Sequence, residues 1–184
     1  RSPIASVKAM VETLENGAIE HHQTATDFVH RIHSDINRMN AIVEDLLELS
    51  RLESGQTHLN LVPTDLNSLI EDVKHEFEPK AEAKEITLSV SLPDSPYTVI
   101  GERDMLYYVL ANLLDNALKF TPARGAATLS ATQKRNMVHV SVSDTGIGIA
   151  VEHHPHLFER FYRVDSSRRH QGTGLGLAIA KHIV

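Results

Sequence analysis

Asn112-Leu113-Leu114-Asp115-Asn116-Ala117-Leu118-Lys119-Phe120 is the stretch on which the fold turns. Leu106, Leu110, Leu113 and Ala117 recur at steps of three and four, which predicts a helix over residues 103–120 with one apolar stripe toward a core. On the opposite side, Asn112, Asn116 and Lys119 fall within about 60° of one another at 3.6 residues per turn. Taken alone, such a set is a solvated helix face. Asn, however, is a weak interior helix former, because its amide competes for backbone hydrogen bonds. Two of them four residues apart point to a second task. An amide oxygen is a hard neutral ligand that suits magnesium, whose shell is completed by waters and substrate phosphates. Lys119 adds a point charge for those phosphates.

Working outward, residues 127–133 and 137–143 alternate as two strands of a hairpin that turns near Arg135-Asn136. Directly after them comes Asp144-Thr145-Gly146-Ile147-Gly148. Asp-x-Gly at a strand end is a common tight turn. It also presents a carboxylate suited to accept a hydrogen bond from the exocyclic amine of adenine, with glycines that let the backbone approach the base. Gly172-Thr173-Gly174-Leu175-Gly176 leads into a last helix over residues 175–184, where backbone N–H groups face an anion. This is neither a Walker A loop nor a dinucleotide fingerprint, since no Gly-Lys-Ser/Thr follows and no strand precedes it. Between the two glycine clusters lie Phe158-Glu159-Arg160-Phe161-Tyr162-Arg163 and then Arg168, Arg169 and His170. They read either as an exposed loop or as a basic lid over a triphosphate. His153, His154 and His156 lack a further ligand at zinc spacing.

Upstream, residues 86–92 and 97–100 read as strands on either side of a Pro93-Asp94-Ser95-Pro96 turn, and residues 65–84 as a helix capped by Thr64. Residues 59–62 alternate as a short strand ending at Pro63. Before that the rhythm is helical. Ile4, Val7, Val11 and Leu14 form one seam, and Val29, Ile32, Ile36, Met39, Val43 and Leu46 another. Asn16-Gly17 ends the first helix, Thr24 with Asp27 caps the second, and Ser54-Gly55 stops it. A further stripe of Phe28, Ile42, Leu49 and Leu52 widens the apolar face beyond what two helices cover, so the hairpin is expected to pair with a second copy as a four-helix bundle. The fold class is therefore α+β. A helical hairpin over residues 1–55 forms a dimeric four-helix bundle, and an α/β sandwich over residues 56–184 has a mixed sheet with helices on one face.

The 184 residues suffice for these two units. With 41% hydrophobic and 23% charged residues the chain is of ordinary globular composition. Its net charge of -6 argues against a general nucleic-acid surface. Zero cysteines exclude disulfides and thiolate metal sites. No apolar stretch approaches the ~20 residues of a membrane helix, and no signal peptide is visible. The chain opens on Arg1-Ser2-Pro3 without an initiator Met, and is read as part of something longer.

Four of these segments together resemble a known family. Residues 112–120 resemble the N box of sensor histidine kinases, 144–148 their G1 box, 158–163 their F box and 172–177 their G2 box, in the family's order and spacing. Arg1-Ser2-Pro3 with the two helices after it resembles the dimerisation and phosphotransfer module. The resemblance implies that Asn116 ligates Mg²⁺, that Asn112 and Lys119 face the phosphates of ATP, and that Asp144 selects adenine above Gly146 and Gly148. It further implies that Gly172, Thr173, Gly174, Leu175 and Gly176 border the lid and phosphates, that Arg163 contacts a phosphate, and that Phe158 and Phe161 pack the lid base. The implied partners are a second copy of the chain and a response-regulator receiver domain, with no nucleic acid. The implied setting is a cytoplasmic core that meets a membrane only through segments upstream.

One departure matters. The family's acceptor motif runs His-Glu-x-Arg-[Ser/Thr]-Pro, which places the acceptor histidine three residues before Arg1. His21, His22, His30 and His33 stand outside that motif. Ser2 matches the position that helps place water for dephosphorylating the partner. The lid over residues 166–171 is also short for the family, which weakens any role for Arg168 and Arg169. Two alternatives remain at this point. One is an ATPase of the same superfold, of the gyrase, chaperone or mismatch-repair kind. Its hydrolytic Glu is expected where this chain has Leu113, Leu114 and Asp115. The other is a dimer scaffold without nucleotide.

Overall fold

The structure, a computed structural model, describes residues 3–54, 60–93, 95–164 and 172–184. Two long elements come first. Helix α1 spans Pro3–Glu15 and helix α2 spans His22–Ser54. Gly17 sits at φ 105°, a left-handed conformation open to glycine, and lets the chain reverse after α1. A 3-10 turn, Ala18–Glu20, then leads into α2. That helix begins two residues before the expected cap. Thr24 and Asp27 lie inside it, and the hydroxyl of Thr26 donates to the carbonyl of His22. The expected stop at Ser54 is where α2 ends, while Gly55 lies outside the described residues.

The second unit builds its own core. Strands β1 (Val62–Asp65) and β3 (Thr98–Gly101) pair antiparallel, and β2 (Thr87–Ser91), β4 (Ala126–Lys134) and β5 (Met137–Asp144) form a mixed sheet in the order β2-β4-β5. Strand β2 runs parallel to β4, and β4 antiparallel to β5. The turn between β4 and β5 uses Arg135 at φ 57°. Helices α3 (Leu66–Ala83) and α4 (Arg103–Phe120) cover one face of the sheet. Helix α5 (Gly176–Ile183) closes the chain. Helix α3 is capped by Asp65, whose carboxylate accepts from the Ser68 N–H at 3.0 Å. The expected cap, Thr64, belongs to β1 instead. Its buried hydroxyl donates to the Gly101 carbonyl at 2.9 Å and ties the two-stranded sheet together.

The core is formed by Leu69, Ile70 and Val73 of α3 against Leu110, Leu114 and Leu118 of α4, over Ala127, Leu129 and Ala131 of β4. The apolar stripe of α4 is thus rotated from the expected one. Leu114 and Leu118 are fully buried, whereas Leu113 is only half-buried. Among the described residues, no helix is long and apolar enough to cross a membrane.

A second, smaller apolar cluster joins the two units. Leu49 and Leu52 of α2 pack against Leu175, Ile179 and Ile183 at the α5 end, with Tyr108 of α4. This corrects part of the expected dimer face, because the C-terminal end of the added stripe on α2 is covered by the chain's own second unit. Much of the hairpin seam stays open, with Ile4, Val11, Val29, Ile36, Val43 and Leu46 exposed and Val7, Leu14, Ile32 and Met39 half-buried.

Candidate functional site

Helix α4 is the frame of the site. Its C-terminal half carries Asn112, Asn116 and Lys119, all half-buried, on the side away from the sheet. The Asn112 amide donates to the Tyr108 carbonyl at 3.0 Å, one turn earlier. Its Oδ1 faces Gly176 so closely that a Cβ there would collide with it, so Gly176 is required for α5 to approach α4. The Asn116 side chain has no hydrogen-bond partner among the described residues, which leaves its oxygen available to a ligand.

Lys119 lies at the end of the same helix, its ammonium 5.4 Å from the centre of the Phe120 ring. Its pKa is lowered below the ordinary lysine value, first by burial and then by the neighbouring cations Arg163, Lys80 and Arg38, while Asp115 opposes the shift. A Cβ on Gly172 would stand 2.7 Å from the Lys119 Nζ. Arg163 Nη1 donates to the Gly172 carbonyl at 3.2 Å. Lys119, Arg163 and Gly172 therefore meet at one point, where an anionic ligand would face two cations.

The other wall follows β5. Asp144 is exposed, and its Oδ1 accepts the Gly146 N–H at 2.8 Å. This closes a tight turn while leaving the second carboxylate oxygen for another donor. A Cβ on Gly146 would lie 2.5 Å from that Oδ1 and 2.8 Å from the Phe120 carbonyl, so only glycine fits. Gly148 sits at φ 67° beside open space. Two bonds pin this loop to its neighbours: Thr145 N–H to the Ala126 carbonyl at 3.0 Å, and Ile147 N–H to the Phe120 carbonyl at 3.3 Å.

The glycine segment before α5 and the aromatic segment before it clasp each other through backbone. The Phe161 N–H donates to the Gly174 carbonyl at 2.9 Å, and Phe161 and Gly174 both take left-handed conformations, at φ 60° and 75°. A Cβ on Gly174 would come within 3.0 Å of the Phe161 backbone. The Thr173 hydroxyl accepts the Leu175 N–H at 3.1 Å. Leu175 itself is fully buried against Leu49 and Ile179, so only its backbone is available to a ligand. Phe158 and Phe161 were expected to pack the lid base; their side chains are instead exposed, and the backbone of Phe161 makes the contact. Nearby, His153 pairs with the Tyr162 hydroxyl at 2.8 Å, His154 with the Ile149 carbonyl at 3.0 Å and His156 with Glu159 at 2.7 Å. Each of the three is thus engaged separately. Ser2, Arg168, Arg169 and His170 lie outside the described residues.

The structure also brings in Arg38, Asp45, Tyr108 and Glu53, which the sequence reading did not single out, beside Leu49 and Leu52 of the added stripe. Arg38, Asp45, Leu49 and Leu52 share one face of α2, at steps of seven, four and three, and this face meets the second unit. Arg38 Nη2 lies 3.5 Å from the Gly172 carbonyl oxygen. The Tyr108 hydroxyl donates to Asp45 at 2.6 Å, and its pKa is raised by burial and by that bond. Glu53 pairs with Arg160 and lies 3.6 Å from His182. The signal was present as helical spacing along α2. It was not decodable, because nothing in the sequence says which element that face meets.

The residues present fit a magnesium nucleotide. The pocket offers one amide without a partner, one half-used carboxylate, backbone that excludes a Cβ, and converging cations. Comparison with known proteins supports the nucleotide part of this fit. Residues 101–184 match the family described as histidine kinase-, DNA gyrase B-, and HSP90-like ATPase, and residues 1–55 match the His Kinase A (phospho-acceptor) domain. Sensor histidine kinase RppB of Synechocystis sp. is 40% identical over 185 residues, covering 100% of this chain and 41% of RppB. The chain spans less than half the length of the curated relatives it matches. Among solved structures, the mycobacterial sensor histidine kinase MprB is 31% identical at a TM-score of 0.61, over 66% of this chain and 78% of that one. Full-length ShkA in complex with AMPPNP is 29% identical at a TM-score of 0.74, over 88% of this chain and 33% of that one.

Proposed function

Because the chain belongs to the sensor histidine kinases, we propose that it is a core that binds Mg-ATP and directs the γ-phosphoryl group to a histidine. The acceptor expected from the motif lies three positions before Arg1, and a response-regulator aspartate takes the group onward. The nucleotide supplies the transferable group, and magnesium spreads the charge on its phosphates.

The chain's own residues divide the binding work. Asp144 accepts from the adenine amine with the oxygen that Gly146 does not use. Gly146 and Gly148 keep the floor beneath the base free of side chains. Asn116 turns its amide oxygen to the metal. Lys119 and Arg163 hold the phosphates, with Gly172 admitting them closely. Asn112 acts through packing, holding Gly176 and hence the start of α5 at the correct height. The single observation that carries this reading is the meeting of Lys119 and Arg163 at Gly172, one helix face away from the Asp144–Gly146 turn.

The exposed seam of the hairpin supports a homodimer, in which Ile36 and Val43 find apolar partners. Ser2, by its place in the motif, positions water when the partner regulator is dephosphorylated. The parent protein reaches a membrane through segments outside this chain, and its core lies in the cytoplasm.

Calorimetry with a non-hydrolysable ATP analogue and Mg²⁺ tests the pocket. Asp144→Ala removes a charge-assisted hydrogen bond of about 1.5–3 kcal/mol, roughly a ten- to hundredfold loss of affinity. Asn116→Ala removes the dependence of affinity on Mg²⁺. Wild-type behaviour in both variants would sink the reading.

A further inference from the structure

Arg38 belongs to the hairpin, yet its guanidinium ends in the second unit. A cleft of about 400 Å³ runs between α2 and the Gly172–Thr173 backbone, and Arg38 lines it together with His33, Ser34 and Asn37. The guanidinium is poorly satisfied there. Among the described residues its hydrogen bond, to the Gly172 carbonyl, is 3.5 Å long, and its Nε is buried with no hydrogen-bond partner there. An arginine carries five donors, and a buried unpaired one is costly. Arg38 makes no ion pair among the described residues.

The same carbonyl is bonded by Arg163 from the opposite side, and a Cβ on Gly172 would touch Lys119. Two guanidinium groups thus share one neutral oxygen, with the Lys119 ammonium beside the same glycine. After burial, Arg163 and Arg38 both contribute to lowering the Lys119 pKa, as cations held close together do. A phosphate chain offers what is missing: several anionic oxygens in the planar spacing that guanidinium groups bind in pairs.

We propose that Arg38 is a phosphate-contacting residue, a guanidinium carried by the hairpin that binds the outer phosphates of the nucleotide held by Lys119 and Arg163. The proposal rests on the nucleotide-binding reading above and extends it across the boundary between units. The bound polyphosphate then bridges α2 and α4. An adenosine without phosphates does not.

Calorimetry on the full chain with adenosine, AMP, ADP and a non-hydrolysable ATP analogue, each with Mg²⁺, tests this. Arg38→Gln is expected to weaken ADP and the ATP analogue by about tenfold, while adenosine and AMP bind as before. Arg38→Lys recovers part of the loss. Arg31→Gln, an exposed cation on the same helix, changes nothing. If ADP binding to Arg38→Gln is unchanged while Asp144→Ala weakens adenosine, the pocket stands and the role of Arg38 falls. If Arg38→Gln weakens adenosine as much as ADP, Arg38 shapes the pocket and does not touch phosphate, which also overturns the proposal. If neither variant alters any affinity, the nucleotide pocket itself is wrong.

Discussion

The hairpin and the sandwich solve the burial problem in opposite ways. In the sandwich, Leu69, Ile70, Val73, Leu114, Leu118 and Leu129 are each at 0% exposure, sealed within one chain. In α1 no residue is buried, and across the hairpin Ile4 is 67% exposed, Val29 58% and Val43 53%. Apolar surface left open on this scale is completed by a partner, as expected of an interface with a helical seam. The lesson is that the hairpin seam should fail first through assembly and the sandwich core through its own packing.

The harshest way to break that contrast is a charge in the seam. Val43→Asp places a carboxylate at the centre of the proposed bundle, where desolvation without a partner is prohibitive. Sedimentation should show a monomer in place of a dimer, with the nucleotide affinity of the sandwich retained. If the variant stays dimeric, the seam is not the interface. Next in size is Leu118→Ala, which opens a cavity in the sealed core and should cost about 2–5 kcal/mol in urea melts followed at the sandwich. The dimer should survive it. If the bundle dissociates at the same urea concentration, the units are not independent.

The smallest effect probes the seam between units. Tyr108→Phe removes the bond to Asp45 and should cost about 1 kcal/mol. It also has a pH signature. Burial, and then the Asp45 bond, raise the Tyr108 pKa above its ordinary value. The stabilisation is therefore fully present below the unfolded pKa of about 10, and is lost as pH climbs through the folded one. The Phe variant should show a shallower alkaline decline of melting temperature than wild type. An identical decline would remove Tyr108 from the contact between units.

Much of this was legible in the chain. The helix of α4 ends at both residues expected, and the β4–β5 hairpin turns where Arg135-Asn136 places it, because periodicity and turn chemistry are local signals. The candidate site residues stood out because their types are unusual for a helix interior or a strand end. Caps were less so. Thr64 and Asp65 are adjacent and both competent, and only the pairing of β1 with β3 decides that Thr64 serves the sheet while Asp65 serves the helix. Least legible was the outer face of α2. Leu49 and Leu52 look the same whether a second copy or the chain's own α5 covers them, and Arg38 looks like any surface arginine until Gly172 is brought to it.

The hydrogen bonds that fasten Thr145 to Ala126 and Ile147 to Phe120 have a mechanical consequence. They fasten the Asp144–Gly146 turn to β4 and to the end of the helix that carries Asn116, so these two sides of the site share a single chassis. The third side, around Gly172, meets the hairpin at Arg38, 3.5 Å away. Any torque delivered along α2 therefore reaches the Gly172 side through Arg38 and α4 through the Asp45–Tyr108 bond.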